Sequence, residues 1–246
     1  MSFHKSILER YSVREYDTNK SLTEKEQNYI IDAIKYAPTS SNWHSSSAIV
    51  ITDKEILNRI AELYPRGTHI KTAQMFIIFL SDFNRMNIAM KSHPEIKFNN
   101  HSSETYTVGV GDAFIQATSA QDQAIDLGLG TCFVGFVRHV AKELIELLNI
   151  EGQAFPVIGL TIGHKFSNDI IIKPKMNRVF MNKYDINRIP NDINKYNPEL
   201  VDYINKIYPN IEPLNYIDSS MQSAKNFKMQ TELIEEIWGL ELVKKN

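Results

Sequence analysis

The chain has a single cysteine, Cys132, so it can form no internal disulfide. It has no basic-then-apolar leader pattern and no apolar run long enough to span a bilayer. Its formal net charge of −2 gives no electrostatic basis for nonspecific nucleic-acid binding. These shortages point to a cytoplasmic protein without nucleic-acid or membrane partners. Several chemistries also lack their residues. There is no Gly-rich loop ending in Lys-Ser/Thr, no nucleophile elbow around a serine and no His-Glu-x-x-His helix. The seven histidines (His4, His44, His69, His93, His101, His139 and His164) follow no metal-ligand spacing. Gly109-Val110-Gly111 lacks the third glycine of a dinucleotide fingerprint and a strand before it, so its glycines are expected to serve close helix packing. Cys132 stands in an apolar strand candidate and reads as a small buried hydrophobe rather than a redox nucleophile.

What remains is an ordinary globular composition, 43% hydrophobic and 23% charged over 246 residues, which suits one domain with a sizeable core. Thr23-Glu24-Lys25-Glu26 has capping-box spacing, and Ile30, Ala33, Ile34 and Ala37 follow at helical intervals until Pro38 stops the helix. Residues 47–52, 75–80, 131–135 and 157–162 have the length and apolarity of buried strands. Asp53 can cap a helix carrying Ile56, Leu57, Ile60 and Ala61, and residues 141–148 form another. A long helix over 107–127 carries Ala113, Ala117, Ala120 and Ala124 along one side, a stripe that permits close contact within the core or between subunits. After Gly163 the chain turns polar and Asn-rich, the pattern of an extended arm. Asn197-Pro198 then reads as an N-cap with proline at the first helical position, and a last helix holds Leu233, Ile234, Ile237 and Trp238.

Two segments concentrate binding chemistry. Arg10-Tyr11-Ser12-Val13-Arg14 offers two guanidinium forks suited to a phosphate, although both arginines could instead bridge to Glu9 and Glu15. Pro38-Thr39-Ser40-Ser41-Asn42-Trp43-His44, just past a helix end, offers neutral donors and acceptors suited to a polar ring edge. Gly135 at a strand end and Lys173-Pro174-Lys175, which alone would read as a solvated basic turn, complete the set.

In this order and at this separation, the segments resemble the nitroreductase superfamily, and more closely its branch of NADPH-dependent flavin and nitro reductases. The family opens with Arg/His-x-Ser-x-Arg, matched by Arg10, Ser12 and Arg14. The post-helical segment is matched by Ser40, Ser41 and Asn42, with His44 where relatives often have glutamine. Asp82-Phe83-Asn84-Arg85, Leu127-Gly128-Leu129-Gly130 leading into Phe133-Val134-Gly135, and Lys173-Pro174-Lys175 extend the resemblance over roughly residues 3–180. In the loop after the helix ending near Tyr64, where relatives carry a glutamine, this chain has Arg66-Gly67-Thr68.

The resemblance implies an α+β fold with a mixed, mostly antiparallel sheet flanked by helices. It implies a single domain in a homodimer, with a C-terminal excursion over about residues 165–246 packing on the partner subunit. Tightly bound FMN would be held by Arg10, Ser12, Arg14, Ser40, Ser41, Asn42, His44, Phe133, Val134, Gly135, Phe136, Lys173 and Lys175. The cations would surround its phosphate, and the Ser/Asn segment would lie near the ring edge. NADPH or NADH would be the co-substrate in a two-step exchange, with nitroaromatics, quinones, azo compounds or free flavin as acceptor and no protein nucleophile. A non-catalytic flavin store, or a flavin-consuming or dehalogenating enzyme, are the alternatives on the same fold.

Overall fold

The structure is a computed structural model that describes residues 2–64, 66–167 and 171–241. It divides into two compact units, Met1–Ser167 with Gln230–Asn246, and Asn168–Met229. In chain order the elements are α1 (Phe3–Glu9), α2 (Glu24–Lys35), β1 (Ser46–Ile51), α3 (Lys54–Glu62), α4 (Thr68–Thr72), β2 (Met75–Asp82) and α5 (Asn84–Ser92). There follow α6 (Ser103–Asp126), β3 (Gly130–Val134), α7 (Ala141–Leu148), β4 (Ala154–Gly163), α8 (Ile189–Ile207), α9 (Tyr216–Lys225) and α10 (Thr231–Trp238).

The first unit is a three-layer sandwich around a sheet of strand order β1-β2-β4-β3. All three pairings are antiparallel. The parallel component of the expected mixed sheet is reduced, among the described residues, to an isolated bridge between Ser12 and Thr131. β2 is buried along its whole length. Its Met75, Ile77 and Phe79 face a cluster formed with Ala113, Ala117, Ala120 and Ala124 of α6 and with Ile30 and Ile34 of α2. Phe76, Ile78 and Leu80 alternate to the other face, against Leu57 and Ile60 of α3 and Leu144 of α7. The alanine stripe is therefore core packing, with the small side chains letting α6 lie close to the sheet. Burying Ile30 or Ile34 contributes about 1.5–3 kcal/mol each, which is what attaches α2 to this layer.

The capping box forms as its spacing predicts: Glu26 N donates to Thr23 Oγ1 at 3.2 Å, and Thr23 N donates to Glu26 Oε2 at 2.7 Å. α6 starts one turn earlier than expected, because Ser102 caps it by accepting from Thr105 N at 3.1 Å. Gly109 does serve close packing, since a Cβ there would run into Ser81 Oγ and lie 3.2 Å from Ser45 O. Gly111 does not: nothing stands within 4 Å of its Cβ position.

In the second unit, α8 corrects an expectation. Asn197-Pro198 does not start a helix; α8 begins at Ile189, with a proline in its first turn, and runs through Pro198. Arg188 Nε, 2.7 Å from Asp192 Oδ2, closes the first turn. Asn197 is engaged elsewhere, its Oδ1 accepting from Tyr216 N at 3.0 Å and so tying α9 to α8 within the same unit.

The chain returns to the first unit at Gln230. Trp238, at the end of α10, is 1% exposed and packs with Phe83, Ala141 and Phe155. The second unit, Asn168–Met229, thus covers part of the stretch of about residues 165–246 expected as an excursion.

Candidate functional site

The guanidinium segment lies along the free edge of the sheet, where Val13 N donates to Thr131 O at 2.9 Å and Ser12 bridges the start of β3. Val13 is buried, which leaves Arg10, Ser12 and Arg14 on the exposed side. Neither arginine forms an ion pair among the described residues, and Glu9 is 3.5 Å from Lys5 instead. The bridge to Glu9 and Glu15 that would have made this a plain surface is absent.

Beneath the pair lies a buried network: Tyr16 Oη is 2.8 Å from Thr161 Oγ1, which donates to Cys132 O at 3.2 Å. Burial pushes the Cys132 thiol and the Tyr16 hydroxyl up, while Arg14 works against both shifts and Ser12's hydrogen bond also opposes that of Cys132. The thiol is a core group. His69, on α4, is 5% exposed and donates from Nδ1 to Arg66 O at 3.0 Å. Burial lowers its pKa from 6.5, the Arg66 hydrogen bond opposes this, and Arg14 lowers it further.

At the other end of β3, Gly135 opens a single 3₁₀ turn running to Arg138. From Thr131 to Gly135 is four residues, or about 13 Å at strand rise. Phe133 and Val134 pack into the two core layers. Phe136 is stacked on Tyr64 at 4.4 Å and on His139 at 5.3 Å. The side chains at 133, 134 and 136 are thus committed to packing, and what this stretch can offer a ligand is backbone. A Cβ at Gly135 would come within 3.3 Å of Arg138 Nη2, and Arg138 Nη1 donates to Val157 O at 2.8 Å.

The Ser/Asn segment is a loop closed on a carboxylate that sequence inspection passed over. Asp112 of α6 is 2% exposed. Its Oδ1 accepts from Ser40 N at 3.0 Å, and its Oδ2 accepts from the hydroxyls of Thr39 and Ser45. Between these anchors Ser41, Asn42 and His44 take φ values of 50°, 57° and 50°, in the left-handed region that non-glycine residues avoid. His44 Nε2 is 3.1 Å from Asn42 Oδ1. The signal for Asp112 lay in the sequence, since it falls on the same helical face as Gly109, Ala113 and Ala117, where a charge is out of place.

The Asp82-Phe83-Asn84-Arg85 motif also has a structural task. Arg85 donates to His44 O at 3.3 Å and to Ser47 Oγ at 3.0 Å, and Asn84 Oδ1 accepts from Gln153 N at 2.9 Å. The motif thus joins the loop to both β1 and the start of β4.

The two segments do not meet within one chain. Ser12 lies beyond β3 at the level of Ile162 and Met75, whereas Ser46 begins β1, at the opposite edge, with Ser45 just before it, at the level of Ser81 and Asp82. Four strand spacings across and six residues along give roughly 25–30 Å between them. α6 repeats the separation: Asp112 sits under the loop, while Asp122, ten residues on, feels Arg10. Lys173 and Lys175 stand in the second unit, where Lys173 helps to line a cavity of about 500 Å³ with Tyr196, Leu200 and Tyr216. Among the described residues no cluster of metal-ligating side chains occurs, and no helix is long and apolar enough to cross a membrane.

A guanidinium pair thus stands one strand-length from a glycine turn, on the free edge of an antiparallel sandwich. Residues 7–164 match the sequence model of the nitroreductase family, and the chain belongs to that family. It is 32% identical over 220 residues, 87% of this chain and 88% of the relative, to the FMN reductase [NAD(P)H] of Bacillus subtilis. It is 28% identical to the oxygen-insensitive NADPH nitroreductase of Salmonella typhimurium, over 67% of this chain and 66% of that one. Among solved structures, B. megaterium NfrA2 superposes with a TM-score of 0.90 at 27% identity, covering 99% of this chain and all of that one. The hypothetical oxidoreductase YcnD from Bacillus subtilis superposes at 0.89 and 30% identity, with coverages of 99% and 100%.

Proposed function

We propose that the chain is an FMN-dependent NAD(P)H oxidoreductase whose flavin sites are each built from two copies of the protein. The observation that carries this reading is the placement of Arg10 and Arg14, without ion-pair partners among the described residues, one strand-length from Gly135. The donor set fits FMN: two guanidiniums and a hydroxyl suit a phosphate dianion. Glycine at 135 suits the close approach of a flat ring to backbone.

In this reading Arg10, Ser12 and Arg14 bind the phosphate. The backbone at Val134, Gly135 and Phe136 would hold the ring's polar edge, with Phe133 packed behind it, and main-chain donors there would favour negative charge on the ring. Lys173 and Lys175 join the phosphate end on the family resemblance. Ser40, Ser41, Asn42 and His44 come from the second copy, since their own chain holds them farther from Ser12 than a mononucleotide spans. A homodimer is therefore part of the proposal, with the second unit packing on the partner. When bound, FMN supplies the two-electron relay between NAD(P)H and a small-molecule acceptor such as a nitroaromatic or quinone. The protein binds, orients and excludes water, and supplies no nucleophile. A cytoplasmic setting accompanies the proposal, in keeping with a single buried cysteine outside any disulfide.

Anaerobic mixing of the FMN-loaded protein with NADPH or NADH tests it. The visible absorbance of oxidised flavin should bleach, and added quinone should restore it. Retained flavin that does not bleach would leave a flavin store; loss of flavin, or halide release from a halogenated acceptor, would leave a flavin-consuming or dehalogenating enzyme.

A further inference from the structure

The loop from Thr39 to Ser45 is tied at both ends to one carboxylate. Asp112 Oδ1 takes Ser40 N at 3.0 Å, while Oδ2 takes both the hydroxyl of Ser45, at 2.6 Å, and its backbone N, at 3.3 Å. The Thr39 hydroxyl, which also donates to Oδ2, accepts from His44 N at 3.0 Å. A side chain that is 2% exposed and surrounded by loop donors cannot itself reach a bound ligand.

We propose that Asp112 is the positioning residue of the ring-edge segment: it closes the loop, holds Ser41, Asn42 and His44 in left-handed backbone, and so turns their polar groups outward in a fixed array. This rests on the reading of that segment as one wall of a composite flavin site. Three non-glycine residues in a sparsely populated conformation persist only where surrounding bonds over-determine them. Here the ties are Asp112 at both ends of the loop and Arg85, whose Nη1 donates to His44 O at 3.3 Å. Removing the carboxylate leaves two backbone N–H groups and two hydroxyls without their acceptor, and the strained turns then relax. A ligand meeting the relaxed loop must order it again, which lowers affinity.

The experiment compares Asp112→Ala, Asp112→Asn and a Ser41→Ala/Asn42→Ala control. It measures FMN affinity by fluorescence quenching, and amide hydrogen exchange in the flavin-free protein. Asp112→Ala should weaken FMN binding by about tenfold or more. The amides of Ser40, His44 and Ser45 should exchange fast, while those of β2 and β4 keep their protection. Asp112→Asn should fall between, because its one remaining acceptor oxygen can still take Ser40 N and its NH₂ can donate to the two hydroxyls.

An opened loop with FMN affinity within about twofold of wild type would overturn the proposal. If Asp112→Ala also loses protection in β2 and β4, Asp112→Asn decides: an intact sheet with weakened binding supports positioning, and unchanged binding refutes it. If the control leaves affinity unchanged, the ring-edge reading fails and takes this proposal with it. If the control weakens binding and Asp112→Ala does not, the composite site stands and only the role of Asp112 falls.

Discussion

If each flavin site takes its phosphate end from one copy and its ring edge from the other, two different inactivated chains should repair one another. One chain carries Arg10→Ala and Arg14→Ala, the other Ser41→Ala and Asn42→Ala. Deleting one charge-assisted hydrogen bond to the phosphate costs about 1.5–3 kcal/mol, or roughly 10–150-fold in Kd, so homodimers of the first chain should be empty at an FMN concentration that fills the wild type. The ring-edge variant should bind more weakly because its loop no longer offers the Ser41 and Asn42 polar groups to the ring. In the heterodimer, one site combines both damaged ends. The other combines the intact arginines of the second chain with the intact loop of the first. Co-expression with two affinity tags and tandem purification isolates this species, and titration should find about one tight FMN per dimer. The expectation comes from the sheet register, which puts Ser12 and the loop on opposite corners. A heterodimer with no tight site, while each single-tag homodimer behaves as stated, would mean that one chain builds both ends of its own site and would refute the reasoning.

Two further outcomes concern the fold beneath the site. Gly109→Ala places a methyl against Ser81 Oγ and Ser45 O, and should destabilise the protein by about 1–3 kcal/mol in urea unfolding. An unchanged midpoint would show that α6 lies farther from β2 than described. His69 is held neutral by burial, with its pKa lowered from 6.5. The unfolded chain therefore takes up its proton first as pH falls, so this stability is fully present above about pH 6.5 and is lost on acidification below it. His69→Gln should flatten the decline in unfolding free energy between pH 7 and pH 5, and a slope equal to the wild type's would count against it.

Most of the first unit was legible because its central strands carry long apolar runs and several of its helices, α2 and α3 among them, begin at a capping side chain. Residues 75–80 and 157–162 read as strands from their apolar runs, and both are central in the sheet. Thr23 and Glu26 announced α2, and Ala141–Leu148 has the bounds its apolar period predicts. The failures fell where a local rule met a tertiary one. Asn197-Pro198 has the chemistry of a helix start, yet Asn197 bonds α9 and the helix simply continues through the proline. The arm after Gly163 was legible as a change of composition, but its end was not. The return of Trp238 to the first core depends on a pocket made by Phe83, Ala141 and Phe155, which are distant in sequence.

The candidate site was legible as a set of residue types and illegible as geometry. Arg10, Ser12, Arg14 and Gly135 could be picked out by type, and the edge bridge at Ser12 places them one strand-length apart. The Ser/Asn segment could be picked out just as well, but nothing in a sequence says which copy of a chain a residue will serve. In the proposed composite site that assignment rests on the strand order β1-β2-β4-β3, which moves residue 46 three strands from residue 131. The same order explains why α6 matters to both ends. It runs under the sheet, carrying Asp112 beneath the loop and Asp122 near Arg10. In a two-fold dimer one helix would therefore brace the ring edge of one flavin and the phosphate end of the other. A perturbation in the middle of α6 that leaves both ends folded, such as Ala117→Gly, should then loosen the two half-sites together rather than one of them.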